Sequence, residues 1–294
     1  MKREILNVNG KNISIAIWDE TENPKGVVQI SHGMAEHIMR YDDFARFLCD
    51  KGYIVVGDDH RGHGYTDPDS LGKADGDIFE DTVADLRYIT AEIKKHYNLP
   101  IVLMGHSYGS FLAQRYLTYG FDELKGVILC GSAKQGGTIL KIGKSISRRK
   151  CRNEADEEGR TFAKMTFEKY EKEAGDGKNG WLSINRENVE RYNADSLCGF
   201  TCSNGFYYSF FCGIDNANKS LRQGNGFKLL IISGTDDPVG GYCKNVEKLD
   251  KMYRKAGYDT QMHLYENMRH EILNEDGKQI VYDDVLNFIN EVIA

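Results

Sequence analysis

Proline and tryptophan are scarce in this 294-residue chain, at four and two residues, and nowhere do the roughly 18 uninterrupted apolar residues of a membrane-spanning helix occur. So little proline, beside 40% apolar and 28% charged residues, excludes a fibrous or disordered chain and describes a folded globular one. Positive charge is also in short supply. The net charge is -6, whereas phosphate backbones require a clustered excess of Lys and Arg, so nucleic acid is not an expected partner. Met1 to Lys11 alternates charged with single apolar residues and has no apolar h-region, so neither a signal peptide nor an anchor is expected there. A soluble, cytoplasmic protein is the expectation. The seven cysteines are scattered, with no CxxC pair and no Cys/His cluster at zinc-ligand spacing. They read as reduced thiols, with no disulfide framework and no metal site; Cys130, inside an apolar run, reads as a small core hydrophobe.

The length allows one large core with a sizeable insertion. Glu4 to Trp18 alternates apolar and polar positions around Asn9-Gly10, which predicts an antiparallel hairpin. Six short apolar runs follow: Val27 to Ile30, Tyr53 to Val56, Ile101 to Met104, Val127 to Cys130, Leu229 to Ile232 and Gln261 to Tyr265. Most are continuously apolar, as strands covered on both faces are. Helical patterns lie between them, at Tyr41 to Lys51, Ile78 to Tyr97, Ser110 to Tyr119, Gly241 to Ala256 and Gln279 to Ile293. This alternation predicts an α/β fold: a mainly parallel sheet flanked by helices, with its chemistry at the carboxyl ends of the strands. The rhythm breaks between Ala133 and Gly226, a polar, Gly-interrupted, partly helical interval. An inserted helical cap over 133–226 is expected there, with the core formed by 1–132 and 227–294.

The segment Pro100 to Gly109 runs a strand into Gly105-His106-Ser107-Tyr108-Gly109 and then into a helix. A serine in such an elbow adopts a strained backbone, so the residues two before and two after must be small; Gly105 and Gly109 are. Ser107 is the candidate nucleophile, and Tyr108 N–H a candidate oxyanion donor. A serine hydroxyl needs a base, and the base a carboxylate to orient it, both at the ends of later strands. The strand ending at Ile232 leads into Gly234-Thr235-Asp236-Asp237-Pro238. Asp236 and Asp237 compete for the carboxylate role, and spacing from Gly234 favours Asp237. The next strand leads to His270 in the loop before the last helix, the best candidate base. His32, His37, His60 and His63 precede the nucleophile, His96 is in a helix, His106 is an elbow neighbour, and His263 lies within a strand, where packing is its expected job. The loop after Ile30, Ser31-His32-Gly33-Met34, offers Met34 N–H as the second oxyanion donor.

The segments SHGMAEHIMRY from Ser31, DDHRGHGYTD from Asp58, GHSYG from Gly105 and SGTDDPV from Ser233, together with His270, resemble the monoacylglycerol lipase and lysophospholipase-like group of α/β-hydrolases, also filed with the S33 serine aminopeptidases. The resemblance spans nearly the whole chain and is weakest in the cap. It implies the α/β-hydrolase fold, a triad of Ser107, Asp237 and His270, oxyanion donors Met34 and Tyr108, and hydrolysis of a carboxylic ester with its acyl chain under the cap. Tyr108 and Ser110 depart from the Met and Gly frequent there. The first contributes a backbone group, but its side chain would shape the acyl pocket. No cofactor is expected, because these groups complete the chemistry.

Gly199 to Ile214 concentrates aromatics. Phe206, Tyr207 and Phe210 are candidate substrate-binding residues, or they simply pack the cap onto the core. Ile139 to Arg152 mixes Lys141, Lys144, Arg148, Arg149, Lys150 and Arg152 with isoleucine and leucine. It reads as a solvated helix face, or as a weak contact with an anionic membrane surface. Two other functions stay open. An aminopeptidase of the same fold would need an acidic anchor for a free amine, for which Glu154, Asp156, Glu157 and Glu158 are candidates. A ligand-binding protein that merely kept the fold is disfavoured because all three triad residues are present.

Overall fold

The computed structural model describes residues 1–294. Asn9 and Gly10 both take positive φ, which lets the first two strands, β1 (Lys2–Val8) and β2 (Lys11–Trp18), pair antiparallel across a tight turn. Then come β3 (Gly26–Ser31), α1 (Asp42–Asp50), β4 (Tyr53–Asp58), α2 (Ile78–Tyr97), β5 (Ile101–His106), α3 (Tyr108–Leu117) and β6 (Leu124–Cys130). After a long helical interval the chain resumes with β7 (Lys228–Gly234), α9 (Lys244–Lys255), β8 (Asp259–Tyr265) and α10 (Lys278–Ile293). The eight strands form one sheet in the order β1-β2-β4-β3-β5-β6-β7-β8, parallel from β4 to β8. Only β2 runs against them, antiparallel to both β1 and β4.

The central strands are continuously apolar because alternate residues enter different cores. Val27, Leu103, Val127, Leu229 and Ile231 pack with Ile89 of α2, Leu112 of α3 and Leu249 of α9. Val28, Val102, Met104, Ile128, Leu230 and Ile232 pack on the other face with Leu48 of α1 and Phe288 of α10. With both faces covered, the central strands are mostly apolar, and the buried Gln29 of β3 is paired with the Leu86 carbonyl and Thr90.

Two helix starts differ from the sequence reading by more than one residue. Helix α3 begins at Tyr108, because the elbow turns directly into it. Helix α9 begins at Lys244 rather than Gly241, since Tyr242 and Cys243 take φ of 53° and 74° and cannot join a right-handed helix.

Between β6 and β7 lie α4 (Gly137–Glu154), α5 (Arg160–Met165), α6 (Phe167–Ala174), a 3-10 turn (Gly180–Leu182), α7 (Arg186–Ala194) and α8 (Asn204–Lys219). Local chemistry sets two of these starts: the Asn185 side chain accepts from Asn188 N–H at 3.1 Å, and Ser203 Oγ accepts from Phe206 N–H at 3.2 Å. Helix α8 packs on α4, α2 and α3, fastening this segment over the sheet's carboxyl edge. No helix of the chain is long and apolar enough to cross a membrane. All seven cysteines are free, and Cys130 is buried at the end of β6.

Candidate active site

Strand β5 delivers Ser107 at φ 50° and ψ -116°, a backbone conformation that ordinary side chains avoid. The flanking glycines are forced. A Cβ on Gly105 would overlap the Gly109 carbonyl, and one on Gly109 would overlap the Ser31 carbonyl of β3. Strand β7 delivers Asp237 and the loop after β8 delivers His270, both buried. His270 Nδ1 lies 3.0 Å from each Asp237 oxygen. Asp237 also accepts from Val239 N–H at 2.9 Å and Ser233 Oγ–H at 3.2 Å. Burial works to raise its pKa, but the imidazole and these donors outweigh burial and hold the carboxyl below its ordinary value. The competitor, Asp236, is exposed and touches only Thr235 through its side chain.

Ser107 and His270 line one cavity of about 970 Å³, walled by the sheet edge and the helical segment. No hydrogen bond joins the hydroxyl to the ring here, and all side-chain bonds of the imidazole go to Asp237. Such bonds are often long in unliganded enzymes and shorten around substrate. The N–H groups of Met34 and Tyr108, from different loops, have no acceptor within the protein, and both residues line the cavity. A free pair of donors beside a serine is suited to a developing oxyanion.

A buried charge network supports this geometry. Glu36 Oε1 accepts from Gly33 N–H at 2.5 Å and from Tyr41 O–H at 2.9 Å, fixing the loop that carries Met34. Arg40 donates to Glu36 at 2.8 Å and grips both oxygens of Glu271 at 2.5 and 2.7 Å. Burial opposes ionisation of both carboxylates. His106 and Arg40 nevertheless hold Glu36 well below the ordinary range, and Arg40 holds Glu271 below it. The His106 ring bridges Glu36 Oε1 and the His270 carbonyl, each at 3.3 Å. Both partners are acceptors. Although burial disfavours its charge, Glu36 raises the pKa of His106, and only a doubly protonated ring could donate to both. Gly131 gives the imidazole room: a Cβ there would come within 3.0 Å of His270 Cε1.

Glu36 and Arg40 lie inside the resemblance-bearing segment from Ser31, and Glu271 follows His270. Their spacing in the sequence gives no sign that one buried ion network joins them. Gly131 carried no signal at all.

The expected cap residues divide. Tyr207 and Phe210 line the cavity, but Phe206 does not; it is fully buried against Tyr108 and His63, at ring distances of 5.2 and 5.7 Å. Its helix register turns it into the core between two walls of rings. Ile139, Leu140, Ile142 and Ile146 of α4 line the cavity, leaving Lys141, Arg148, Arg149 and Arg152 exposed. None of Glu154, Asp156, Glu157 and Glu158 reaches the cavity, so the acidic anchor expected of an aminopeptidase is not formed by them. His263 is not a packing residue: it is partly exposed and bonds Asp284 at 2.8 Å. His32, in the loop after β3, stacks on His60 at 3.9 Å, with His60 on Asp58 at 2.7 Å.

Residues 22–277 match the Hydrolase_4 family model, described as serine aminopeptidase, S33. The chain is 25% identical over 296 residues to the monoacylglycerol lipase of Mycolicibacterium smegmatis, covering 98% of this chain and 96% of the relative. It is 25% identical over 295 residues to the monoglyceride lipase of Rattus norvegicus, covering 99% and 89%. Among solved structures, a thermostable carboxyl esterase from Bacillus coagulans in complex with glycerol superposes with a TM-score of 0.90 at 24% identity, over 100% of this chain and 99% of that one. A monoglyceride lipase variant from Saccharomyces cerevisiae does so at 0.75 and 18%, over 98% and 94%. These structural matches establish the α/β-hydrolase fold.

Proposed function

This chain belongs to the S33 serine aminopeptidase family of α/β-hydrolases, and from that footing we propose that it is a serine esterase for carboxylic esters with apolar acyl chains, of the monoacylglycerol or lysophospholipid kind. The observation that carries the reading is a buried Asp237–His270 pair beside a strained Ser107, on one cavity that is also lined by Met34 and Tyr108, whose N–H groups have no acceptor in the protein. Ser107 Oγ attacks the ester carbonyl carbon as His270 Nε2 takes its proton. Asp237 stays ionised and stabilises the imidazolium, while the oxyanion accepts from Met34 and Tyr108 N–H. Collapse expels the alcohol with that proton and leaves an acyl-serine; water then repeats the sequence and releases the acid.

Residues 133–226 act in this scheme as the cap. Its rings and α4 give the cavity an apolar wall of Phe162, Tyr207, Phe210 and Phe211, which suits an acyl chain better than a peptide. The relatives named as monoacylglycerol and monoglyceride lipases support the same substrate class.

Ser107→Ala is expected to lower kcat by about a thousandfold or more on short p-nitrophenyl esters and on a monoacylglycerol, and to abolish labelling by a fluorophosphonate probe. Full retained activity sinks the assignment. Faster turnover of a proline-naphthylamide than of either ester would favour the peptidase instead.

A further inference from the structure

The loop that carries His270 is held largely by the helical segment between β6 and β7. Glu271 N–H donates to the Leu182 carbonyl at 2.7 Å, and Arg269 donates to the Gly180 carbonyl at 2.6 Å and pairs with Asp176 at 2.5 Å. The buried Glu275 carboxylate gathers Arg269 N–H at 2.9 Å, Ser183 O–H at 2.6 Å and Ile184 N–H at 3.1 Å. These bonds place the 3-10 turn Gly180–Leu182 directly against the base. Its middle residue, Trp181, lays its indole on the His270 ring, with centroids 5.1 Å apart and planes at 36°. Phe167 stacks behind the indole at 5.6 Å and Tyr170 flanks it at 5.4 Å. The indole Nε1–H is buried and has no acceptor, so no hydrogen bond of its own fixes the ring there.

We propose that Trp181 is a positioning residue for the base, its indole face holding the His270 ring on Asp237 and favouring the imidazolium that forms when Ser107 gives up its proton. This rests on the reading of His270 as that base. The physics is the attraction between a cation and an aromatic face, strongest for tryptophan and larger where water is excluded. The ionisable groups around the ring are Asp237 from the β7 loop, His106 from β5 with its partner Glu36, and Tyr170 of α6 beyond the indole. Of the neighbouring rings, the indole and the His106 imidazole lie against the base, and His106 is itself tied to a carboxylate.

The test compares Trp181→Leu, which keeps an apolar cover but removes the aromatic face, with Trp181→Phe, which keeps a weaker one. On a short p-nitrophenyl ester, W181L should move the acid limb of kcat/KM to lower pH by about half a unit or more. It should also lower kcat about threefold to tenfold while KM holds within about twofold. W181F should recover most of both effects. A W181L enzyme with unchanged limb and unchanged kcat overturns the proposal.

A second readout does not depend on turnover. In a Trp18→Phe background the sole indole is Trp181, and a protonated imidazole in contact quenches indole emission. Intensity should therefore rise with pH along a curve whose midpoint matches the acid limb, and His270→Asn should abolish the curve. Emission that stays flat, or that titrates equally in H270N, overturns the contact. An active H270N enzyme overturns the base assignment and this inference with it; an inactive H270N beside an unaltered W181L overturns this inference alone.

Discussion

At φ 50° and ψ -116°, Ser107 occupies a region that glycine tolerates and serine does not, which stores about 1–3 kcal/mol of backbone strain. The strain persists because its neighbours leave no alternative: Gly109 abuts the Ser31 carbonyl, and Ser107 N–H is tied to the Cys130 carbonyl at 3.0 Å. Ser107→Gly relieves the strain at an entropic cost of about 0.5–1 kcal/mol. The variant should therefore be inactive yet more stable by about 1 kcal/mol, raising Tm by about 2 °C. Differential scanning calorimetry decides this, and a lower Tm than the parent's would show that the elbow is not strained. The elbow was legible in the sequence because its demands are local: small residues two places either side of a serine, at a strand-to-helix junction. The choice of Asp237 over Asp236 was less so, since adjacent residues differ in direction rather than chemistry, and only the fold turns one inward.

At the scale of elements, Arg40 ties the loop after β3 to the loop after β8 through Glu36 and Glu271. Removing the cation leaves the buried Glu271 without a counter-ion and Glu36 with His106 alone, so Arg40→Met should cost about 3–5 kcal/mol at neutral pH. The pH dependence has a definite sign. Carboxyls held below their unfolded value, about 4.3 for Glu, contribute stability fully present above that pH and lost as pH falls through the folded values. Without Arg40 the depression of Glu271 is lost and that of Glu36 weakens to what His106 supplies, so the gap between parent and variant should be widest above about pH 5 and should narrow in acid. Urea unfolding across that range reads it; a gap that widens on acidification would contradict the role given to Arg40. Strand and helix order was legible because each central strand is apolar on both faces and each helix on one. This ion network was not, because its members lie on three different parts of the chain.

At the scale of the whole molecule, a sheet edge carrying the reacting groups meets a helical segment carrying most of the apolar wall. In the proposed esterase, the cavity between them sets which acyl chain fits. Ile146 is partly buried on α4 and lines that cavity. Ile146→Trp should lower kcat/KM for long-chain monoacylglycerols about tenfold, while p-nitrophenyl acetate, too short to reach the wall, is hydrolysed as before. Parallel kinetics on a chain-length series would show it, and an equal loss on all lengths would place Ile146 outside the acyl path.

Local pattern determined the strands, the elbow at Ser107 and the order in which Asp237 and His270 follow it, because period, turn chemistry and chain order are written residue by residue. Tertiary structure alone decided that Phe206 is buried while Phe210 faces the cavity, that Glu36, Arg40 and Glu271 share one charge network, and that Trp181 lies on the imidazole. Each depends on the angle at which a helix or loop from one part of the chain meets a strand end from another, and no single stretch of residues encodes that angle.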